Sequence, residues 1–395
     1  MSFKIDNFFR IIHGLTIFFV IFSSSAFINA SNLLVAYKTP ITTGLLVLLV
    51  LSSLTYGLFV REYFVFTIAI IITAVIYLKS GSKAPLVLTI FIFSTRGIDP
   101  FESLFDVLIA QTFLLFGTMA LWLAGVLQDV TVLNKHSLGF YYPNTLGATI
   151  LSIIIVSLVL YEYRSSSLKA MSKKLFIFAH LVLIILLWIS GARGSMISSV
   201  IAYAMFFMVH FLGERHGKFI RALAIGVVIG VPLASIVMLS PRINQVGSVL
   251  YKLNSFLTTR IQLNYEFFIN YGVKFFGQHV QYLTDSRYFT AINRYAFLDN
   301  AYIMYLINFG IVSVVAIIVY ELVICSRIDK PQFLLLSIPL VAYAAYGFVE
   351  QGFAQYWVNV VFSCSAVVFR PEIYSRTFKQ RNLLIDEIEV TQADA

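Results

Sequence analysis

Apolar runs long enough to cross a bilayer recur along most of this chain and leave few folds open to it. A bilayer core needs about 20 apolar residues per helix, and backbone groups that face lipid must be paired within their own segment. Only 12% of the residues are charged, whereas about 25% is usual for soluble domains. We therefore predict an all-α polytopic membrane protein with twelve candidate spans: 11–29, 41–60, 63–79, 84–97, 105–127, 144–161, 175–190, 194–212, 219–239, 300–322, 333–349 and 353–369.

The lysines and arginines predict the orientation, because the cytoplasmic loops of membrane proteins collect these residues. In the second half, the short loops on one side hold only Lys135 and Arg193. The other loops and the tail hold Arg164, Lys169, Lys173, Lys174, Arg215, Lys218, Arg221, Arg327, Lys330, Arg370, Arg376, Lys379 and Arg381. This asymmetry predicts a cytoplasmic C-terminus. The first half is balanced, and the short segment 84–97 leaves open whether it crosses fully or is re-entrant.

The span pattern divides the chain into a transmembrane domain, 1–369, and a cytoplasmic tail, 370–395. One long extracytoplasmic loop, 240–299, separates the ninth and tenth spans. Apolar residues in the stretch VLYKLNSFLTTRIQL recur at helical spacing. We expect the loop to carry one or two amphipathic helices that lie against the membrane or over a cavity.

The composition also argues against several classes of function. The net charge of +9 follows from basic cytoplasmic loops, and no basic stretch is interleaved with aromatics as in a nucleic-acid-binding face. Cys325 and Cys364 form neither a disulfide framework nor a zinc-site spacing. The chain has no mid-span carboxylate of the kind that ion-coupled transporters use, and a neutral packing role is expected for His180.

Polar residues gather instead where three predicted helices begin on the outer side, in the motifs GFYYPNTLGA, SGARGSM and LDNAY. Helix N-termini carry free N–H groups and partial positive charge, which suit an anion such as phosphate. In the first motif Asn144 or Thr145 can cap the helix. We expect five residues of this region to contact substrate: Asn144, Gly194, Asn300, Tyr302 and His136.

Three charged residues are the catalytic candidates. Arg193 lies at one such helix start and, like Arg260 in the loop, suits two-pronged contact with phosphate oxygens. Arg193 has the alternative of reaching lipid headgroups, and Arg260 that of a solvated position on a loop helix. Asp299 is a candidate general base, with a helix N-cap as its alternative.

At these motifs the chain resembles the O-antigen polymerase and ligase superfamily, and in particular Wzy-type polymerases of bacterial O-antigen, capsule or exopolysaccharide systems. The matching stretches are HSLGFYYPNTLG, SGARGSM, LNSFLTTRIQL followed by FFGQ, and LDNAYIMYLINFG. The resemblance implies a GT-C-like fold in the bacterial cytoplasmic membrane. It also implies a metal-independent glycosyltransferase with no cofactor, whose active site faces outside and whose donor and acceptor are undecaprenyl-pyrophosphate-linked oligosaccharides. The further implied partners are membrane lipids, a flippase and chain-length regulators.

Carried over by position, Arg193 and Arg260 resemble the pyrophosphate-binding arginines of the ligase branch. Ligases have a histidine before an asparagine near the end of the long loop, whereas here Asp299 precedes Asn300. This departure favours a polymerase and leaves Asp299 as the proposed base, with His136 and Glu350 as further candidates. A ligase that transfers the glycan to another acceptor, and a polysaccharide flippase, remain the alternative functions.

Overall fold

The computed structural model describes residues 11–19, 60–132, 135–163, 166–256, 259–282, 297–328, 331–355 and 358–371, together with scattered residues between 21 and 50. Residues 11–19 are helical and form α1. The later helices are α2 (Val60–Ser80), α3 (Ala84–Ser94), α4 (Pro100–Leu123), α5 (Pro143–Tyr163), α6 (Ser166–Ser190), α7 (Arg193–Leu212), α8 (Gly217–Val237), α9 (Val249–Phe256), α10 (Arg260–Tyr271), α11 (Ala301–Cys325, with an internal break) and α12 (Ser337–Val349).

Seven helices in the described ranges are long and apolar enough to cross a membrane. They are α2, most of α6, and α4, α5, α7, α8 and α11 in full. This confirms the prediction of a helical membrane protein with several spans. The number twelve and the GT-C-like architecture remain predictions, because much of the predicted spans 11–29 and 41–60 lies outside the described residues.

Helix α5 forms the centre of the bundle. In its most apolar window 78% of the residues are buried within the protein, compared with 17% for α2. Its sequence is rich in isoleucine and valine, which favour helices weakly in water, but a lipid environment enforces helical pairing of the backbone. Helices α4 and α7 pack against α5, and α12 packs against α7 and α8. With 21 residues, α5 is about 31 Å long, which matches the bilayer core.

A buried ion network holds the end of the bundle where α5 ends. Glu62 accepts hydrogen bonds from Arg96 Nε at 3.3 Å and from Arg370 Nε at 3.0 Å and NH2 at 2.9 Å. Nearby, the ring of Phe101 at the start of α4 stacks on that of Tyr163, with centroids 3.8 Å apart. The network therefore lies at the end of the bundle opposite to the start of α5, and it ties three distant parts of the chain together.

The same network shows how segment 84–97 runs. Helix α2 starts at the Glu62 end, and the carbonyl oxygen of Ser80 at its other end lies 3.2 Å from His279 Nδ1. Helix α3 then returns, and a 3₁₀ turn after it brings Arg96 back to Glu62. Helices α2 and α3 therefore form a hairpin, in which the start of α2 and the end of α3 lie on the same side. With 11 residues, α3 is shorter than the helices long enough to cross a membrane, and whether the segment crosses fully remains a prediction.

The predicted span 353–369 does not form one continuous helix. After Glu350 a 3₁₀ helix covers Gln351–Ala354, a second 3₁₀ helix covers Val360–Cys364, and a short α-helix covers Ala366–Phe369. Asn359 starts this helical part by accepting a hydrogen bond from the N–H of Val361 at 3.2 Å. Irregular backbone is tolerated at membrane depth when protein surrounds it, and most of this stretch is buried.

Helix α11 is broken near its start, and part of the predicted loop fills the break. The turn Tyr305–Phe309 has π-helical hydrogen bonding and ends at Gly310, whose φ is +83°. The FFGQ motif fits into this break. The N–H of Gln278 donates to the carbonyl of Asn308 at 2.9 Å, and its side-chain amide donates to the carbonyls of Tyr271 and Gly272 at 3.1 Å each. The loop that carries α9 and α10 is thus fastened to α11.

Replacing Gly310 by alanine is expected to loosen this attachment. A Cβ there would lie 2.4 Å from the backbone N of Gly277 and the carbonyl oxygen of Phe275, in addition to the strain of a positive φ. We expect a loss of about 3 kcal/mol in unfolding free energy, from strain and overpacking combined. Thermal unfolding of the detergent-purified protein measures it.

Gly272→Ala is the matched control for that substitution. Gly272 also has a positive φ, +63°, but no atom lies within 4 Å of an added Cβ. It isolates the backbone strain of this glycine-only conformation, φ +63° and ψ −165°, which is worth at least about 1 kcal/mol. Equal destabilisation by the two variants would show that the close contact between the loop and α11 is not important.

Candidate functional site

Five charged side chains meet where α5, α7, α10 and α11 begin and α12 ends. We call the group of Lys135, Arg193, Arg260, Asp299 and Glu350 the charged cluster. The N-termini of these four helices face the same end of the bundle, so their partial positive charges add to those of the basic side chains. The cluster lies at the opposite end from the Glu62 network.

Arg260 is the centre of the cluster. Its Nε lies 3.2 Å from Asp299 Oδ2, and its NH1 lies 3.1 Å from Glu350 Oε1 and also donates to the carbonyl of Val349. The guanidinium fork thus joins the first residue of α10 to the start of α11 and the end of α12. This geometry excludes the solvated loop position that the sequence left open for Arg260, since its side chain is only 24% exposed.

Glu350 is the most enclosed carboxylate of the cluster. Besides Arg260, it accepts hydrogen bonds from Asn144 Nδ2 at 3.3 and 3.4 Å. Burial, with a smaller contribution from the nearby Asp299, raises the pKa of Glu350 to about 7 against the opposing charges of Arg260 and Lys135. The expectation that Asn144 or Thr145 caps α5 is wrong, because the helix starts at Pro143 and the Asn144 amide is directed to Glu350.

Asp299 pairs with Arg260 and does not cap α11. Asn300 is the N-cap, because its Oδ1 accepts a hydrogen bond from the N–H of Ile303 at 3.0 Å. The Asn300 amide nitrogen also donates to Ser235 Oγ and to the carbonyl of Phe348, at 2.9 Å each. Burial raises the pKa of the Asp299 carboxyl, and Arg260 opposes that rise.

Arg193 and Lys135 supply two further cations. Arg193 is exposed at the start of α7 and forms no hydrogen bond or ion pair with the residues described here. Burial lowers the pKa of the Lys135 ammonium, and the charges of Arg193 and Arg260 lower it further. Lys135 was not predicted as a site residue, because a lysine in a short loop resembles any other interfacial charge. The close approach is visible only in the structure, where a Cβ on Gly191 would lie 2.8 Å from Lys135 Cγ.

Gly194 permits the contact between α7 and Glu350. A Cβ at this position would lie 2.6 Å from Glu350 Cγ and 2.9 Å from Val349 Cγ2. Gly194 was predicted as a substrate contact. In the structure, close packing against Glu350 and Val349 explains why a glycine stands at this position. Its small size lets the first turn of α7 approach the end of α12.

Two predicted substrate contacts, Tyr302 and His136, have hydrogen-bond partners that do not belong to the charged cluster. Tyr302 is 4% exposed, and its hydroxyl donates to the carbonyl of Ala344 at 3.1 Å, so it joins α11 to α12. His136 lies beside Lys135 in the chain, but its Nδ1 is 2.6 Å from Asp129 Oδ2. The Asp129 carboxylate also accepts from the N–H groups of Ser137 and Leu138, which orders this loop.

The charge balance of the cluster suits an anion. Three basic side chains and two carboxylates give a formal charge of +1. The pKa values of Glu350 and Asp299 are raised, and protonation of either carboxylate increases the positive charge of the cluster. Helix N-termini add partial positive charge. In the described ranges no three His, Cys, Asp or Glu side chains come together as metal ligands would. The arrangement can therefore bind a phosphate group and exchange a proton beside it.

Gly194→Ala is expected to disturb the cluster through Glu350. The added methyl group displaces the carboxylate or pushes α7 from α12, at a cost of about 1–3 kcal/mol in unfolding free energy. Gly226→Ala in α8 is the control, because nothing lies within 4 Å of a Cβ there and alanine favours a helix by about 1 kcal/mol. The unfolding midpoints of the two variants measure the difference in stability. Equal midpoints would show that close packing between Gly194 and Glu350 is not important.

Comparisons with known proteins assign no family to the chain. No family model, no curated protein and no solved structure matches it. The function proposed below rests on the charges, burial and distances of the charged cluster.

Proposed function

We propose that this protein is a membrane glycosyltransferase that polymerises undecaprenyl-pyrophosphate-linked oligosaccharide repeat units on the outer face of the bacterial cytoplasmic membrane. The observation that carries the proposal is the meeting of Arg193, Arg260 and Lys135 at one end of a bundle of apolar helices. A cationic site at the rim of such a bundle suits an anion whose other part is lipid. A polyprenyl pyrophosphate is a ligand of this kind.

The three cations have different parts in holding the pyrophosphate. Arg193, exposed and without a carboxylate partner among the described residues, offers its whole guanidinium fork to phosphate oxygens. Lys135 adds a point charge beside it. Arg260 is held in place by Asp299 and Glu350 and gives a fixed positive charge at the edge of the site.

The reaction forms one glycosidic bond and breaks one bond to phosphate. A hydroxyl of the terminal sugar on one lipid-linked repeat unit attacks the anomeric carbon of the glycan on a second carrier. The bond between that carbon and the pyrophosphate oxygen breaks, and undecaprenyl pyrophosphate leaves with an additional negative charge. Positive groups placed in advance stabilise this developing charge, which is the largest contribution in many such reactions.

The proton of the attacking hydroxyl goes to Glu350 in this proposal. A general base works best when its pKa is close to the working pH, and burial raises the pKa of Glu350 to about 7. Asp299, the base expected from the sequence, is bound to Arg260 through Nε and positions that guanidinium. Two neighbouring carboxyls that share one arginine repel each other, which keeps one of them ready to take up a proton.

Arg193→Ala is expected to abolish polymer formation while the protein remains folded in the membrane. Loss of one group that stabilises the leaving charge costs about 10²–10³ in rate. Arg193→Lys is expected to retain only part of the activity, because a point charge cannot replace the two-pronged contact. The measurement is the ladder of products on a gel after reconstitution with a defined lipid-linked repeat unit.

Arg215→Ala is the control for that experiment. Arg215 follows the other end of α7 and is exposed, so its removal changes the net charge equally but leaves the cluster intact. A normal ladder from Arg193→Ala would exclude the pyrophosphate role. A single transferred unit in place of a ladder would point to a ligase.

The pH profile tests the assignment of the base. Glu350 must be deprotonated to accept a proton, so the rate should rise as pH increases through about 7. Glu350→Gln should lower the rate by about 10²–10⁴. Asp299→Asn should keep more activity and shift the profile to lower pH, because the Asp299 charge contributes to the raised pKa of Glu350. A full rate in Glu350→Gln, or an unchanged profile in Asp299→Asn, would contradict the assignment.

A further inference from the structure

Helix α11 carries a buried carboxyl group that has no part in the proposed mechanism. Glu321 lies one turn before the end of this helix and is 0% exposed. Neither of its carboxyl oxygens has a hydrogen-bond partner among the described residues. Ionisable groups in such surroundings are rare in membrane proteins and call for an explanation.

Two other buried carboxylates of the described chain have partners that balance their charge. Glu62 accepts hydrogen bonds from two arginines, and Glu350 accepts them from Arg260 and Asn144. An ionised carboxylate without such partners has a large desolvation penalty, and a group in this position holds a proton instead. Glu321 is therefore neutral in this conformation.

The surroundings of Glu321 supply no charge that could replace its proton. The titratable and charged groups near this end of α11 come from the helix itself, from α8 and from the 3₁₀ helix that ends at residue 364. They are Tyr302, Tyr320, Cys325, Arg221 and Cys364. Both tyrosine hydroxyls donate to backbone carbonyls. Arg221 interacts with Cys325 and does not donate a hydrogen bond to Glu321.

We propose that the Cys325 end of α11 is closed against its neighbours only while Glu321 holds a proton, and that ionisation of Glu321 opens it. An ionised carboxylate requires water, which reaches Glu321 only when this end of α11 separates from α8 and from the segment 360–369. The proton of the carboxyl passes to that water. A rise in pH therefore favours the open form, and this inference does not depend on the proposed function.

The reactivity of Cys325 measures this opening in the full-length protein in detergent. Cys325 follows Glu321 by four residues, which places both on one face of the helix, and it is 0% exposed. Its thiol reacts with N-ethylmaleimide only after the helix end opens. The chain has two cysteines, so Cys364→Ser leaves one thiol to label.

The comparison is between this single-cysteine protein and the same protein with Glu321→Gln, which has the same shape but cannot ionise. Opening that releases one proton becomes up to about tenfold more favourable for each pH unit. The ratio of the two labelling rates should therefore rise by up to about tenfold per pH unit, and the titration of the thiol itself cancels in this ratio. Glu102→Gln, which changes an exposed carboxyl at the start of α4, is the control and should label as the parent does.

A ratio of labelling rates that is independent of pH would overturn the proposal, and so would a Cys325 that reacts in neither protein. Thermal unfolding is the second measurement. Because the fold favours the protonated form, the unfolding midpoint of the protein with Glu321 should fall below that of Glu321→Gln as pH increases. A lower midpoint for Glu321→Gln at every pH would show that the carboxylate stabilises the fold, and it would overturn the proposal as well.

Discussion

The guanidinium of Arg260 holds together three segments that are far apart in sequence. It joins the loop helix α10 to Asp299 at the start of α11 and to Val349 and Glu350 at the end of α12. Two carboxylates in a largely buried site are stable only when a cation and hydrogen-bond donors balance them. The position of the loop over the helix ends, and with it the shape of the charged cluster, depends on this one side chain.

The cluster combines groups that are held in place with groups that are free to bind. Arg260 is held by its carboxylates, while Arg193 at the start of α7 extends outwards. Close packing supports both, because Gly194 and Gly191 allow Glu350 and Lys135 to approach α7 without a clash. In the proposed function, these charges need little rearrangement to bind a diphosphate, since they are already oriented. Mutual repulsion among its cations is relieved when an anion enters.

Much of the helical architecture could be predicted from sequence, because lipid tolerates few alternatives to a paired helix. Arg193, Arg260 and Asp299 could be predicted as site residues, because charged residues are rare in this chain. The position of Lys135 in the cluster could not be predicted, because its burial depends on contacts between distant segments. The cap considered at Asn144, and the N-cap that was the alternative role of Asp299, are not formed, because tertiary partners compete for these side chains. The break in α11 depends on the docking of FFGQ, which local sequence does not reveal.

The Glu62 network has a consequence for how the protein is made. Arg96 reaches Glu62 within a local hairpin, whereas Arg370 comes from nearly the end of the described chain. During synthesis, which proceeds from the N-terminus, Glu62 and Arg96 are therefore inserted long before their third partner emerges. This end of the bundle closes only after Arg370 has been synthesised, so a nascent chain that stops before it exposes the unfinished ion pair to the quality-control machinery of the cell.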